Sequence, residues 1–187
     1  CQGHFTGAEV AVADASRTGA DIVHPNQPPK WANLLSQARC TLNQVFAHNI
    51  VFYADPDTLL VGDFLGLEQA RLATTVVALP GQMMFSGDRL RELKPERMRL
   101  LQQALPVCDV RPLDLYPVFR MLPVWDLKVS RPFGEWDVVA LFNWAEQPAA
   151  VGFDFAELGL DSAAEYAVYE FWTQTLQGAR TGRFEME

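Results

Sequence analysis

Apolar residues recur at helical spacing three times in the first hundred positions, and each time a short apolar run precedes them. In "KWANLLSQARCTLNQVFAHN", Trp31, Leu34, Leu35, Ala38, Leu42, Val45 and Phe46 share one face, which predicts a helix that Pro28 and Pro29 can open and Asn49 can close. The run before it, "EVAVA" at 9–13, predicts a strand. The second unit reads as strand "IVFY", loop "ADPDTLLVGDFLG" and helix "LEQARLATTVVAL", stopped by Pro80 and Gly81. The third reads as strand "QMMFS", loop "GDRLRELK" and a helix opening at Pro95, with Met98, Leu101 and Leu105 as its apolar positions.

Strands alternating with helices of this length predict a parallel sheet, closed as a barrel or open. After about residue 107 the pattern changes. "FRMLPVWDLKV", "EWDVVALFNWA", "AAVGFDF" and "EYAVYEFW" are short, β-branched and aromatic, with Pro, Gly and Asp turns between them. That predicts antiparallel sheet without intervening helices, and places a boundary near Pro106 to Arg111, between units 1–107 and 108–187. Four such strands leave edges open, so further strands are expected beyond Glu187 to complete the sheet.

The three polar, acid-bearing loops of the first unit each follow a strand and precede a helix: Asp14 to Asp21, Asp55 to Asp57, and Ser86 to Asp88. Parallel α/β folds collect their function at that end of the strands. None of these loops carries a glycine-rich phosphate motif, which disfavours nucleotide binding.

Composition narrows the field. The 187 residues carry a formal net charge of −8 and no basic cluster, which excludes nucleic acid and anionic membrane as natural partners. No apolar run reaches the roughly 20 residues of a membrane span. Cys1, Cys40 and Cys108 are few, odd in number and far apart, a pattern of reduced thiols that points to a cytoplasmic protein without a disulfide frame or zinc site. The chain starts at Cys1 without a Met and stops in "RTGRFEME", so a piece of a longer protein is expected.

Two carboxylate groups carry the candidate chemistry. Asp55-Pro56-Asp57 reads either as a turn whose side chains hold their own backbone or as a strand tip delivering carboxylates to a cleft. Arg17 and Asp21 read either as a surface ion pair or as a functional cluster on the neighbouring strand. Paired carboxylates in unlike environments suit glycoside hydrolysis, where one must be protonated and the other ionised. His4, His24 and His48 share no metal spacing, Ser86 has no base, and Cys1 has none either; no metal or other cofactor is expected. Trp31 belongs to a helix core. Trp125, Trp136, Trp144 and Trp172 fit a sheet core better than a sugar-stacking platform.

The order "CQGHFTGAEVAVADASRTGAD", "HNIVFYADPDTLLVG", "ARLATTVVALPGQMMFSGDRL", then "VVALFNWAEQPAAVGFDFAELGL" with "YAVYEFW", resembles the melibiase-like α-galactosidases. The resemblance implies the C-terminal half of a (β/α)8 TIM barrel, from the end of its fifth strand, followed by an antiparallel β-sandwich domain. It implies that Asp21 is the general acid/base and Arg17 its substrate-binding partner. Asp55 and Asp57 become supports at the floor of the site, and Cys1 and Gly3 a strand tip that touches sugar. The family often has Asn where Ala54 stands, one polar contact fewer here. Its nucleophile is an Asp in a Lys-x-Asp setting on the fourth strand, upstream of this chain. The implied activity is retaining hydrolysis of terminal α-galactosides, with an oligosaccharide and the upstream half of the barrel, or another copy of the chain, as partners. A noncatalytic carbohydrate-binding or interaction protein on the same fold is the alternative, and a transglycosylase a third. An isolated half barrel is expected to dimerise or aggregate.

Overall fold

The computed structural model describes residues 8, 10–23, 30–107 and 121–187. The chain divides into two compact units, Cys1–Met121 and Leu122–Glu187. The expected boundary between Pro106 and Arg111 abuts residues 108–120, which lie outside the described residues.

The first unit is built from parallel strand pairs and the helices between them. Strand β1 (Ala15–Arg17) precedes helix α1 (Trp31–Gln44), which runs on through a 3-10 turn over Val45–Ala47. Strand β2 (Tyr53–Asp55) pairs in parallel with β1, Arg17 opposite Asp55. Strand β3 (Thr58–Leu59) follows at once, then helix α2 (Leu67–Ala78) and strand β4 (Phe85–Ser86), parallel to β3. Met83 donates its N–H to the Ala54 carbonyl at 3.2 Å, which carries the β4 segment alongside β2 as well. Helix α3 (Pro95–Gln103) closes the unit, with Pro95 at its first turn.

Of the strand predicted at 9–13, the described residues 10–13 form none. Val10 and Val12 are exposed and Ala11 takes a left-handed φ of 67°. The ladder starts at Ala15, where β2 supplies partners, and an apolar alternation without a ladder partner among the described residues does not hold a strand. The second strand also slides. Ile50 and Val51 turn back onto the Ala47 carbonyl, Asn49 takes the left-handed conformation that ends the helical run, and the ladder begins at Tyr53.

Helix faces shift for a similar reason. In α1 the buried stripe is Leu34, Gln37, Ala38, Thr41 and Leu42, so two polar residues replace Leu35 and Phe46; Phe46 is exposed. In α3 the buried face is Arg97, Leu100 and Leu101, continued by Ala104, while Leu105 lies past the helix end and is exposed.

The second unit holds three antiparallel pairs. Strands β5 (Val124–Arg131) and β6 (Gly134–Leu141) form a hairpin in register from Val124 opposite Leu141 to Arg131 opposite Gly134. Strands β8 (Tyr166–Glu170) and β9 (Thr175–Arg180) form a second hairpin with a bulge at Val168/Tyr169. Strand β7 (Val151–Asp154) pairs with β10 (Arg183–Met186). Strands β9 and β10 were not anticipated from the sequence, because "TLQGAR" and "RFEM" are polar and exposed along most of their length.

Trp125 fills the centre with no solvent exposure, 4.4 Å from the Phe142 ring, and Phe142 stacks on Trp144 at 4.5 Å. Trp144 donates its indole N–H to the Leu122 carbonyl at 3.0 Å. The expected sheet core therefore holds for these two tryptophans. Trp136 instead sits 43% exposed near the hairpin tip, stacked on Phe133. A second small core joins Phe153, Phe155, Tyr166 and Phe184. Lys128 bridges Asp126 at 3.1 Å and Asp137 at 2.5 Å and donates to the Leu158 carbonyl. Burial works against its charge, but the hydrogen bonds to Asp137 and Asp126 outweigh it and raise its pKa.

Gly152 lies opposite Glu185 in the β7–β10 pair: a Cβ there would lie 2.6 Å from the Phe184 carbonyl oxygen and 3.1 Å from Glu185 Cα. Backbone cannot swing aside as a side chain can. Gly152→Ala is expected to cost about 1–3 kcal/mol through forced strand separation. Denaturant unfolding, with limited proteolysis at 181–187, checks it.

Candidate functional site

The carboxyl ends of β1 and β2 lie side by side, so the loops that leave them share one space. Arg17 is the last residue of β1. Its Nη2 lies 3.1 Å from Asp21 Oδ1 and 3.1 Å from Asp57 Oδ2. A single guanidinium nitrogen thus bridges the Arg17–Asp21 cluster and the Asp-Pro-Asp turn. The arginine and Asp57 side chains are largely buried, 13% and 15% exposed, whereas Asp21 is 41% exposed and reaches solvent. The Arg17 Nε is buried without a hydrogen-bond partner among the described residues, so the guanidinium keeps donor capacity in hand.

The turn holds itself as well. Asp57 donates its N–H to Asp55 Oδ1 at 2.9 Å, and its backbone sits at a left-handed φ of 72°, a conformation that a short polar side chain tolerates. Asp57 Oδ2 also accepts the Ile22 N–H at 2.8 Å, which fixes the loop carrying Asp21. The turn reading holds in geometry: Asp55 braces Asp57, and Asp57 braces Arg17 and the Asp21 loop.

Residues that the sequence did not single out anchor this arrangement. Thr18 follows Arg17 and donates from N to the Asp55 carbonyl at 2.9 Å. Gln37 and Gln44 of α1 reach back to it, Gln37 Nε2 to the Thr18 hydroxyl at 2.9 Å and Gln44 Nε2 to its carbonyl at 2.6 Å. Gly19 lets the loop close on the helix, since a Cβ there would lie 2.5 Å from Gln37 Oε1. Asn33 donates to the Ile22 carbonyl at 3.1 Å. Two polar residues inside the apolar stripe of α1, Gln37 and Thr41, were the available sign that the helix does more than fill a core.

The loop after β3 is clamped from both sides. Asp88 accepts the N–H groups of Val61 and Gly62 at 2.7 and 3.2 Å. Arg97, 7% exposed, donates to the carbonyls of Val61, Leu65 and Gly66 at 3.3, 2.9 and 3.4 Å. Asp88, grouped in the sequence with the acid-bearing loops, therefore serves backbone. Asp14 contributes its carbonyl to the Tyr53 N–H at 2.8 Å, and Ser86 is an exposed position on β4. Ala54 is fully buried beside Ala47 and Phe52. Burial is the first cause of a raised Cys40 thiol pKa, which leaves that group a poor nucleophile. Cys1 and Gly3, like His4 and His24, lie outside the described residues. No group of three His, Cys, Asp or Glu able to hold a metal occurs among the described residues, and no helix there is long and apolar enough to cross a membrane.

With this geometry in place, similarity to known proteins can be set beside it. Residues 130–186 match the family described as the alpha galactosidase C-terminal beta sandwich domain. The second unit thus carries a β-sandwich domain of α-galactosidase type, as the motif order of "VVALFNWAEQPAAVGFDFAELGL" led us to expect. No curated protein matches the chain in sequence. Among solved structures, the chain is similar to a GH27 β-L-arabinopyranosidase from Geobacillus stearothermophilus, crystallised as a variant in complex with arabinose. The TM-score is 0.70 at 18% identity, over 93% of this chain and 42% of that one. The wild-type form of the same enzyme gives 0.68 at 18% identity, with the same shares covered. Alpha-galactosidase I from Mortierella vinacea gives 0.63 at 14% identity, over 92% of this chain and 50% of that one. Identities this low establish a shared fold. The chain spans 42–50% of the length of these structures.

Proposed function

We propose that the protein contributes the acid–base side of a retaining glycoside hydrolase acting on terminal α-galactosides or sugars of the same ring configuration. The strand–helix units of residues 1–107 are read as the C-terminal half of a (β/α)8 barrel. The observation that carries the reading is the shared Arg17 nitrogen. It sets a solvent-reaching carboxylate, Asp21, beside a buried ion pair at the carboxyl end of parallel strands, where such folds hold their catalytic groups.

In this reading Asp21 delivers a proton to the departing glycosidic oxygen while a second carboxylate, contributed by a segment outside this chain, attacks the anomeric carbon. Asp21 then takes a proton from water as that water releases the covalent sugar, so the anomeric configuration is retained. Retention requires the two carboxyl groups about 5–5.5 Å apart. Arg17 orients Asp21, while Asp57 and Asp55 fix the guanidinium from behind. Cys1 and Gly3 would touch the sugar from an adjacent strand tip.

The two named activities of the structural neighbours define the substrates to try. An α-D-galactopyranoside and a β-L-arabinopyranoside share ring configuration and differ by the hydroxymethyl group at C5. Asp21→Asn keeps the Arg17 hydrogen bond but cannot shuttle a proton. In the full-length protein it is expected to lower hydrolysis of both aryl glycosides by about 10²–10⁴-fold. Azide, which needs no general base, should restore release of the sugar as its glycosyl azide. Unchanged turnover would remove Asp21 from the mechanism. Carbohydrate binding without turnover of either substrate by the unmutated protein would instead favour the noncatalytic reading.

A further inference from the structure

His48 lies just beyond the 3-10 turn that extends α1, 8% exposed, and both of its ring nitrogens are engaged by backbone. Nδ1 is 3.0 Å from the Ala54 nitrogen, which can only donate; Nε2 is 2.9 Å from the Gly81 oxygen, which can only accept. These partners assign the tautomer: Nε2 carries the proton and Nδ1 is a bare acceptor. The ring therefore joins β2 to the turn between α2 and β4, and it can do so only while neutral.

What it holds is the strand that delivers the carboxylates. Ala54 is bonded by its N–H to His48 and by its carbonyl to Met83. The next residue, Asp55, accepts the Thr18 N–H on its carbonyl and the Asp57 N–H on its carboxylate. Asp57 in turn holds Ile22 and Arg17. Two residues of chain, Ala54 and Asp55, and two hydrogen bonds separate the imidazole from the Asp57 backbone.

We propose that His48 is a positioning residue whose neutral imidazole latches the Asp55-Pro56-Asp57 turn, and that its protonation releases the latch. Protonation places an N–H on Nδ1 facing the N–H of Ala54. Two donors cannot share that contact, so the ring or the strand must move. Among the described residues a titratable side chain against the ring is Tyr53 on β2, edge-on at 6.2 Å; the α2–β4 turn meets it through the Gly81 carbonyl, and Ala47 and Phe52 flank Ala54 as apolar neighbours. Asp55 projects to the opposite face of β2 from Ala54 by strand alternation. The consequence for catalysis rests on the proposed function, while the hydrogen-bond switch does not.

The test is nitrogen-15 NMR of the full protein, titrated from about pH 8 to about pH 5, the span over which histidines charge. The ring nitrogens of His48 should report Nε2–H with unprotonated Nδ1 at the upper end. The amide resonances of Ala54, Asp57 and Ile22 should then move with the same midpoint as the ring. His48→Asn supplies an acceptor oxygen that does not titrate. It should preserve the upper-pH positions of these amides and abolish their movement. A ring in the Nδ1–H form, or amides of Ala54 and Asp57 that titrate with a midpoint unlike that of the ring, would overturn the proposal from the unmutated protein alone, whether or not the variant folds. An inactive protein whose amides follow His48 would sink the hydrolase reading and leave the latch standing.

Discussion

Replacing Arg97 by Met will cost about 3 kcal/mol or more of unfolding free energy, one of the two largest effects anticipated in this protein. Met matches the length of the aliphatic stem, so the cavity term is small and the loss isolates the guanidinium. Two carbonyls, those of Val61 and Leu65, depend on it in a setting where the arginine is 7% exposed, while that of Gly66 keeps the Ala70 N–H at 3.0 Å. Each buried acceptor left without a donor costs about 1–3 kcal/mol. Asp63 lies 3.7 Å from Arg97 Nε but is half-exposed and has Lys94 at 2.7 Å, so it is not stranded by the change. The loss should appear as a lower urea midpoint with an unchanged slope. A variant with the original midpoint would show that water replaces the guanidinium at no cost, and that the loop at 61–66 is wetter than its burial indicates.

Trp125→Ala will cost about 3–5 kcal/mol, the usual range for emptying a buried indole site. The side chain has no solvent exposure and meets both Phe142 and, at 6.3 Å, Trp144. Its indole nitrogen has no hydrogen-bond partner among the described residues, so the loss is one of packing alone. Thermal unfolding with the near-ultraviolet signal of the aromatic cluster reads it. A Trp125→Phe variant should recover most of the loss, because the Phe142 and Trp144 rings still find an aromatic face. Equal losses for Ala and Phe would point to shape complementarity specific to the indole.

What the sequence revealed and what it concealed divide along a physical line. Helices α1, α2 and α3 were legible because each presents an apolar stripe over 9–14 residues, long enough for the period to declare itself. Strands of two or three residues cannot show an alternation, so β1 and β2 were placed several residues too early, on apolar runs that have no ladder partner. In the second unit the hairpin strands β5 and β6 run for eight residues and were found, while β9 and β10 are exposed and polar and were not.

The candidate site follows the same division. Arg17, Asp21, Asp55 and Asp57 stood out as charged residues clustered at strand ends, though a turn or a surface ion pair would have looked the same, and the structure brings all four together. Thr18, Gln44, His48 and Arg97 were missed because each acts on main-chain atoms, which leave no trace in residue spacing, and Gln37 because its partner is the Thr18 hydroxyl far away in sequence. Polar residues on the buried face of a helix were the available sign.

The grip of α1 on Thr18 sets a limit on how this region of the chain can change in length. Gln37 and Gln44 are seven residues apart, two turns of helix, and both meet the one residue that follows Arg17. Adding or removing a single residue between them would rotate one glutamine by about 100° around the axis and carry it off Thr18. The solvent-facing positions of α1 are free to drift in composition, but its residue count between 37 and 44 is part of the geometry that places Asp21. Related sequences that preserve this site should therefore differ by substitution across that span, and keep their insertions and deletions elsewhere.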